Sequence, residues 1–437
     1  MRGRSSVALG FLALVVAGAV LLASPWARAA GTWGSFPDAL FTACSAVCVT
    51  GLSVVEVGRE YSRVGIAALT ALVEVGCIGL MTCGTFLVVA IGRRLSLHRE
   101  FSLMNAYGVP TVKGLRGLIV WVVGSMLSFQ LIGALALHAH GVGAARALFY
   151  SIMNFCNAGF SLDPDSLAPW ADDPFAVVTM GVLTILGGIG FLVLFNLFTF
   201  RFFSFRQASR GRLSLHTRTV LRVSALLLAV AFAAFLAIEW GHSLADMPIK
   251  KRLWVGFYQA VTPRTCGFCL VPTESLQPLT RLIYEVMMFL GGAPGSACGG
   301  MKVTTLAVLI CTLTAMCRGE TETVISRRTV PTEIVRESMV IFMTLAALIT
   351  VVVGFLLVTE RGRGIAQDAL FFEAVSAVTT TGLTVGDTTK SLSTGGRCVL
   401  MVAMFCGRLG ALAVVLMIGD RESKRHIRYP QEELVVG

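Results

Sequence analysis

Charge is scarce in this sequence. Only 14% of its 437 residues are charged, against 55% hydrophobic, and the mean hydropathy is +0.77. Soluble globular domains carry about a quarter charged residues, so that class is excluded. Polar stretches are short as well. The longest connections lie near 92–114, 201–219 and 317–337, and the tail from Arg421 to Gly437 is brief, leaving no room for a soluble domain of useful size. Neither "GGIGFL" nor "GGAPGS" has a strand-to-helix context with a downstream acid, which excludes a nucleotide fold within the chain. The twelve cysteines show no zinc-type spacing. Cys266-Gly267-Phe268-Cys269 has redox-motif spacing but lacks the helix start that lowers a thiol pKa, so the cysteines argue against an enzyme and for no organic cofactor.

What the sequence has instead is long apolar runs. Crossing about 30 Å of hydrocarbon takes roughly 20 mostly apolar residues, and eight such runs fall near 6–25, 63–91, 115–137, 174–200, 220–240, 280–316, 338–358 and 395–418. The net charge of +11 gathers in alternate connections: Arg93 to Arg116, Arg201 to Arg222, Arg318 to Arg336 and Arg421 to Arg428. That is the positive-inside pattern of a membrane protein, not a nucleic-acid surface, and it places both termini in the cytoplasm. Arg2 and Arg4 agree with it, while Lys250-Lys251-Arg252 falls on the opposite side. The basic start, the apolar run from Val7 to Ala23 and Ala27-Arg28-Ala29 also have the form of a secretory signal. The internal repeat needs this segment as its first helix, so it is read as retained.

Four stretches align: "LFTACSAVCVTGLSVVE" from Leu40, "LFYSIMNFCNAGFSLDP" from Leu148, "GFYQAVTPRTCGFCLVP" from Gly256 and "FFEAVSAVTTTGLTVGD" from Phe371. In each, an aromatic residue (Phe41, Phe149, Phe257, Phe372) precedes a glycine (Gly51, Gly159, Gly267, Gly382) by the same spacing, and the glycines recur about every 110 residues. One span lies before each aromatic and one after each glycine, so each copy returns to its starting side and the copies are parallel. The expected fold is an all-α membrane protein of eight transmembrane spans, arranged as four helix–pore loop–helix repeats around a pseudo-fourfold central pore. Repeat boundaries fall at 1–92, 93–203, 204–318 and 319–420, with a cytoplasmic tail at 421–437.

The segment between aromatic and glycine, about ten residues, is too short to cross and must turn back as a pore helix. Backbone exposed after it is tolerable at membrane depth only where it lines a water- or ion-filled cavity. Carbonyl oxygens replace the hydration shell of a cation, and glycine permits the angles that turn them toward the axis. Thr50, Thr265 and Thr379 to Thr381 fit as hydroxyl ligands beside that strand. Glu56, Asp163 and Asp387 follow their glycines by four or five positions, with Glu274 in the third copy. They read either as an outer mouth that concentrates cations or as ordinary solvated loop.

These motifs resemble the Trk/Ktr/HKT family of potassium transporters, and within it the KtrB-type translocating subunits, over nearly the whole chain. "VTGLSVVE", "NAGFSLDPDSL", "TPRTCGF" and "TTTGLTVGD" are similar to that family's filter segments. The resemblance implies a filter at Val49, Thr50 and Gly51, Asn157, Ala158 and Gly159, Thr265, Cys266 and Gly267, and Thr380, Thr381 and Gly382, with potassium at their backbone carbonyls. It implies potassium uptake across a bacterial inner membrane, stimulated by sodium, and a cytosolic nucleotide-binding ring of the KtrA type. The ending "YPQEELVVG" resembles a KtrB ending and implies a homodimer. A passive gated pore and a sodium- or proton-coupled symporter both remain open.

"FLGGAPGSACGGMKVTT", Phe289 to Thr305, breaks the third copy's second span with glycines and a proline that cannot hold a helix. The resemblance implies a gating loop including Gly291, Gly292, Gly295, Ser296, Gly299 and Gly300, while a kinked helix remains the alternative. Lys302 either snorkels to the cytoplasm or serves the gate. Aligned glycine pairs (Gly76-Cys77-Ile78-Gly79, Gly187-Gly188-Ile189-Gly190, Gly407-Arg408-Leu409-Gly410) put Arg408 at a position that is small elsewhere. A lone arginine at membrane depth faces the protein interior or a water path; Arg408 resembles the family's arginine below the filter, which implies that it opposes cation passage and pairs with polar atoms of the gate loop, while a structural arginine bonded to helix carbonyls remains the alternative. Glu74 departs from the family's usual neutral residue, and proton coupling, pairing with Arg408 and neutral burial are all open.

Overall fold

Apolar runs fold as long helices and the repeated motifs as short ones in the computed structural model, which describes residues 2–92, 112–203 and 213–409. In chain order the principal helices are α1 (Arg2–Ala23), α2 (Phe36–Val47), α3 (Arg63–Gly92), α4 (Val112–Ala139), α5 (Ala144–Cys156), α6 (Pro174–Ile189), α7 (Phe191–Phe203), α8 (Leu215–Glu239), α9 (Ile249–Val261), α10 (Pro278–Phe289), α11 (Val303–Cys317), α12 (Thr332–Thr359), α13 (Gln367–Val378) and α14 (Thr394–Leu409). A two-residue hairpin, β1 (Val324–Ile325) with β2 (Arg328–Thr329), follows α11. The basic connections at 93–111 and 204–212, the end of the last expected span and the tail lie outside the described residues.

Val120–Ala139, Leu215–Glu239 and Thr332–Thr359 are each long and apolar enough to cross a bilayer. They expose large apolar side chains such as Leu131, Leu226 and Phe355, which suits a lipid solvent. The short helices are the reverse. α2, α5, α9 and α13 have 12 or 13 residues, too few to cross, and are buried toward their C-terminal ends, Phe149 to Cys156 and Phe372 to Val378 without interruption. Long helices thus form the outside and short ones the centre. Each short helix packs against the long helix before it, and against a helix of the preceding unit: α5 on α3, α9 on α6, α13 on α10 and, round the ring, α2 on α14. The last contact closes a ring.

Loop chemistry joins the long helices on the side where the short helices begin. Prolines occupy the first turns of α6 and α10, where a missing N–H costs nothing. The buried Glu239 at the end of α8 accepts from the Gln277 N–H at 2.9 Å and the Thr280 hydroxyl at 2.5 Å, capping α10. Glu360, after α12, takes the Ser393 N–H ahead of α14 in the same way.

Two breaks interrupt the long helices. Residues 290–302, between α10 and α11, are irregular and not a kinked helix. The other break was not located in advance: some of the apolar runs are too long for one simple helix, and in the run 174–200 α6 and α7 meet at 96°. Gly190 sits there at φ +88°, and the Phe191 N–H donates to the Gly295 carbonyl at 3.1 Å. The irregular segment of one unit therefore breaks the helix of another.

Candidate functional site

The four glycine segments meet at the centre of the ring. A Cβ built on Gly51 would come within 2.6 Å of the Gly159 Cα, one on Gly159 within 2.8 Å of the Gly267 Cα, one on Gly267 within 3.2 Å of the Gly382 carbonyl carbon, and one on Gly382 within 3.2 Å of the Gly51 Cα. The residue two before each glycine is left-handed: Val49 (φ 54°), Asn157 (56°), Thr265 (65°) and Thr380 (51°). Gly51, Gly267 and Gly382 are also at positive φ, and Gly159 is not. Such a backbone is rare without glycine and strained for side-chain-bearing residues.

Hydrogen bonds explain the conformation. The Val49 and Thr50 N–H groups turn back onto the Ala46 and Ser45 carbonyls, and the Gly51 N–H onto Ser45 Oγ at 3.1 Å. The fourth copy repeats this, with Thr380 on Ala377, Thr381 on Ser376 and the Gly382 N–H on Ser376 Oγ at 3.1 Å. In the second, Asn157 and Ala158 return to Asn154 and Met153; in the third, Cys266 returns to Thr262. The short helices thus take up these donors, and of the carbonyls in these segments that of Ala158 accepts from the Phe160 N–H at 2.8 Å. Among the described residues, those of Val49, Thr50, Gly51, Thr380, Thr381 and Gly382 accept no hydrogen bond, and those of Thr50, Gly267 and Thr381 abut the glycine of a neighbouring copy.

Each copy also contributes one buried side-chain oxygen with no partner among the described residues: Thr50 Oγ1, Asn157 Oδ1, Thr265 Oγ1 and Thr380 Oγ1. Leaving one such atom unsatisfied costs about 1–3 kcal/mol, and one in each of the four copies, one or two residues before its glycine, asks for an explanation. The expected set is narrower than the sequence suggests. The hydroxyls of Thr379 and Thr381 bond each other at 2.8 Å, and Thr379 also bonds the Val375 carbonyl, so neither is free.

The 290–302 loop lies directly against this ring. Asn157 Nδ2 donates to Cys298 Sγ at 3.2 Å, and that thiol reaches the Arg264 carbonyl at 3.4 Å. A side chain on Gly299 would collide with the Thr379 carbonyl and the Thr380 hydroxyl. Within the loop, Gly291 abuts the Gly299 carbonyl, Gly292 has no room beside Cys298, and Gly295 and Gly300 are at φ +70° and +64°. Ser296 folds back on the Ala293 carbonyl at 2.7 Å.

Two cations hold the loop by its carbonyls. Lys302 Nζ donates to Cys298 O at 2.6 Å and Arg408 Nη1 to Ala297 O at 2.7 Å. Lys302 is therefore turned to the loop, and Arg408 bonds a loop carbonyl, not its own helix. Arg408 is 3% exposed, with Nε and Nη2 unpartnered among the described residues. Gly76, Gly187 and Gly407 each abut the carbonyl of a short helix's last turn, Val47, Phe155 and Val378 respectively. Arg408 consequently stands where Cys77 and Gly188 stand.

The family model described as "TrkH: Cation transport protein" matches residues 20–428. The chain belongs to the TrkH family of cation transport proteins. It is 34% identical to the Ktr system potassium uptake protein B of Bacillus subtilis (strain 168) over 99% of this chain and 96% of that one. To the potassium/sodium uptake protein NtpJ of Enterococcus hirae it is 30% identical, over 99% and 96%. The crystal structure of the potassium transporter TrkH from Vibrio parahaemolyticus shares the fold, with a TM-score of 0.77 at 18% identity over 95% of this chain and 84% of that one. Membership and the exposed apolar helices make this a membrane protein.

In this TrkH-family chain the three carboxylates that follow the glycines are all paired. Asp163 binds Arg146 at 2.6 Å and the Tyr150 hydroxyl at 2.6 Å. Glu56 binds Arg59 at 2.9 Å, and Lys390 bridges Asp387 at 2.8 Å to Glu56 at 3.9 Å. Glu74 makes no ion pair with Arg408, and its Oε2 is buried without a partner among the described residues. Cys266 is buried, its thiol 3.4 Å from Thr184 Oγ1 and 3.7 Å from the Tyr258 hydroxyl. Sequence reasoning missed Ser45, Ser376 and Glu373. Both serines stand six residues before their glycines, and Glu373 is the one charged residue between Leu370 and Val385, so alignment of the copies held the signal.

Proposed function

We propose that this chain takes up potassium through a gated, cation-selective pore. It threads the membrane eight times as four parallel repeats, 1–92, 93–203, 204–318 and 319–420, around a pseudo-fourfold axis, with both termini and the 421–437 tail in the cytoplasm of a bacterium. The observation that carries this is the closed ring of Gly51, Gly159, Gly267 and Gly382 with four unpartnered oxygens beside it. Potassium is the cargo, held where backbone carbonyls and the Thr50, Asn157, Thr265 and Thr380 oxygens substitute for water. Relatives named for potassium uptake support that ion, and the relative named for potassium and sodium supports a sodium effect. The 290–302 loop, with Lys302 and Arg408, is the barrier below the filter. The likeness to Ktr system proteins supports a cytosolic regulatory component, read here as a nucleotide-binding ring acting on a homodimer of this chain. Glu56, Asp163 and Asp387 shape the outer mouth through their ion pairs more than they attract cations.

A second reading, coupling to sodium or protons, has one observation in its favour: the unpartnered carboxylate oxygen of Glu74, since an ionisable group inside a membrane is a candidate coupling site. Rubidium flux into vesicles carrying the purified chain, under sodium gradients of both signs, tests the two. Flux that follows only the rubidium gradient is expected. Rubidium accumulation driven by an opposed sodium gradient would establish symport instead.

A further inference from the structure

Glu373 lies on α13, nine residues before Gly382, and is fully buried. Its carboxylate accepts from the Thr384 hydroxyl and, at 2.8 Å, from the Thr389 hydroxyl; Thr389 also donates to Thr384 Oγ1 at 3.2 Å. Thr384 is two residues past Gly382. Ser376 thus grips the fourth glycine segment by the Gly382 N–H, and Glu373 grips it again as it leaves, both from the same short helix. The equivalent positions, nine before each glycine, are Thr42, Tyr150 and Tyr258. Tyr150 does a related task with a neutral group, its hydroxyl meeting Ser161 Oγ at 3.1 Å, again two residues past the glycine. Tyr258 bonds Asn154 Oδ1 at 2.7 Å, and Thr42 its own helix at Asp38 O. A carboxylate in this place is peculiar to the fourth copy.

We propose that Glu373 is a positioning residue that fixes the outer end of the fourth glycine segment and thereby sets discrimination between potassium and sodium. This rests on the filter reading above. Carbonyl spacing decides which cation is well coordinated, and a segment with left-handed Thr380 keeps its shape only where neighbouring bonds over-determine it.

The test is rubidium uptake with competing sodium by full-length Glu373→Ala, Glu373→Gln and Thr384→Val, at matched membrane content. Glu373→Ala is expected to lower discrimination about tenfold, the scale of one hydrogen bond to a charged group, with the maximal rate within about twofold of the parent. Glu373→Gln keeps an acceptor for Thr384 and should recover most of it, while Thr384→Val should reproduce the alanine phenotype. Parent-like discrimination in Glu373→Ala overturns the proposal, as does a proportional fall of rate with discrimination unchanged. If Glu373→Ala does not reach the membrane, Thr384→Val decides by the same criterion. Gly382→Ser separates the two levels: if it too leaves discrimination unchanged, the filter reading fails; if it alone relaxes discrimination, only the role of Glu373 fails.

Discussion

Neutralising Arg408 should open the pathway. Its guanidinium is 3% exposed and holds the Ala297 carbonyl at 2.7 Å, in the loop that abuts Thr379 and Thr380. Two effects act in one direction. A hydrogen bond from a charged donor contributes about 1.5–3 kcal/mol to the closed loop, and a fixed positive charge near a low-dielectric path raises the barrier for a cation. No carboxylate pairs with Arg408 among the described residues, so its field is not cancelled by a salt bridge. Allowing for screening, Arg408→Gln should lower the barrier by about 1–3 kcal/mol, roughly a tenfold to hundredfold faster potassium flux. Arg408→Lys keeps the charge and a donor and should hold close to the parent rate. Stopped-flow thallium or rubidium influx into proteoliposomes, normalised to reconstituted protein, reads both. If both variants are well folded and transport at the parent rate, the electrostatic and tethering arguments are wrong and Arg408 is structural.

Serine at Gly51, Gly267 or Gly382 should weaken apparent potassium affinity and relax discrimination against sodium. Gly159→Ser should be milder, because Gly159 lacks the positive φ of the others and only crowding with Gly267 remains; competition uptake ranks the four, and equal kinetics in all would refute the ring as a filter. Shortening Gly291 to Gly300 should raise flux and reduce its dependence on the cytosolic partner, measured as uptake with and without that partner; a folded deletion that transports like the parent would leave the loop without a gating role. Glu239→Ala should strip the cap from α10 and leave the Gln277 N–H and Thr280 hydroxyl unsatisfied, a loss of about 2–3 kcal/mol read as a lower Tm in detergent, with Glu239→Gln intermediate.

The architecture was legible where one copy could be compared with another. The aromatic-to-glycine spacing survives four times, so the short helices, the glycine segments and the position of Arg408 could be located without coordinates. The broken third span was legible from its glycines and Pro294. The bend at Gly190 was not, because "GGIGFL" resembles the intact glycine pair at Gly76 and Gly79, and what bends it is the Gly295 carbonyl from the next unit. Glu56, Asp163 and Asp387 were legible as residues, but not as partners of Arg146 and Lys390, since sequence distance says nothing of which cation a loop will meet.

The same limit explains Arg408 and Glu373 together. Both are charges placed in apolar surroundings, and a buried charge is intelligible only through what satisfies it. Arg408 stood out because the aligned positions are Cys77 and Gly188, yet its partner, the Ala297 carbonyl, is 111 residues away. Glu373 aligns with Thr42, Tyr150 and Tyr258, all able to hydrogen-bond, so the alignment alone does not single it out. Its partners Thr384 and Thr389 are near in sequence, but the bond forms only because the left-handed turn at Thr380 and Gly382 brings the strand back over its own helix. In the fourth copy the left-handed backbone and the polar residues packed behind it are therefore tied together, Ser376 and Glu373 of one short helix bonding the segment at Gly382 and at Thr384.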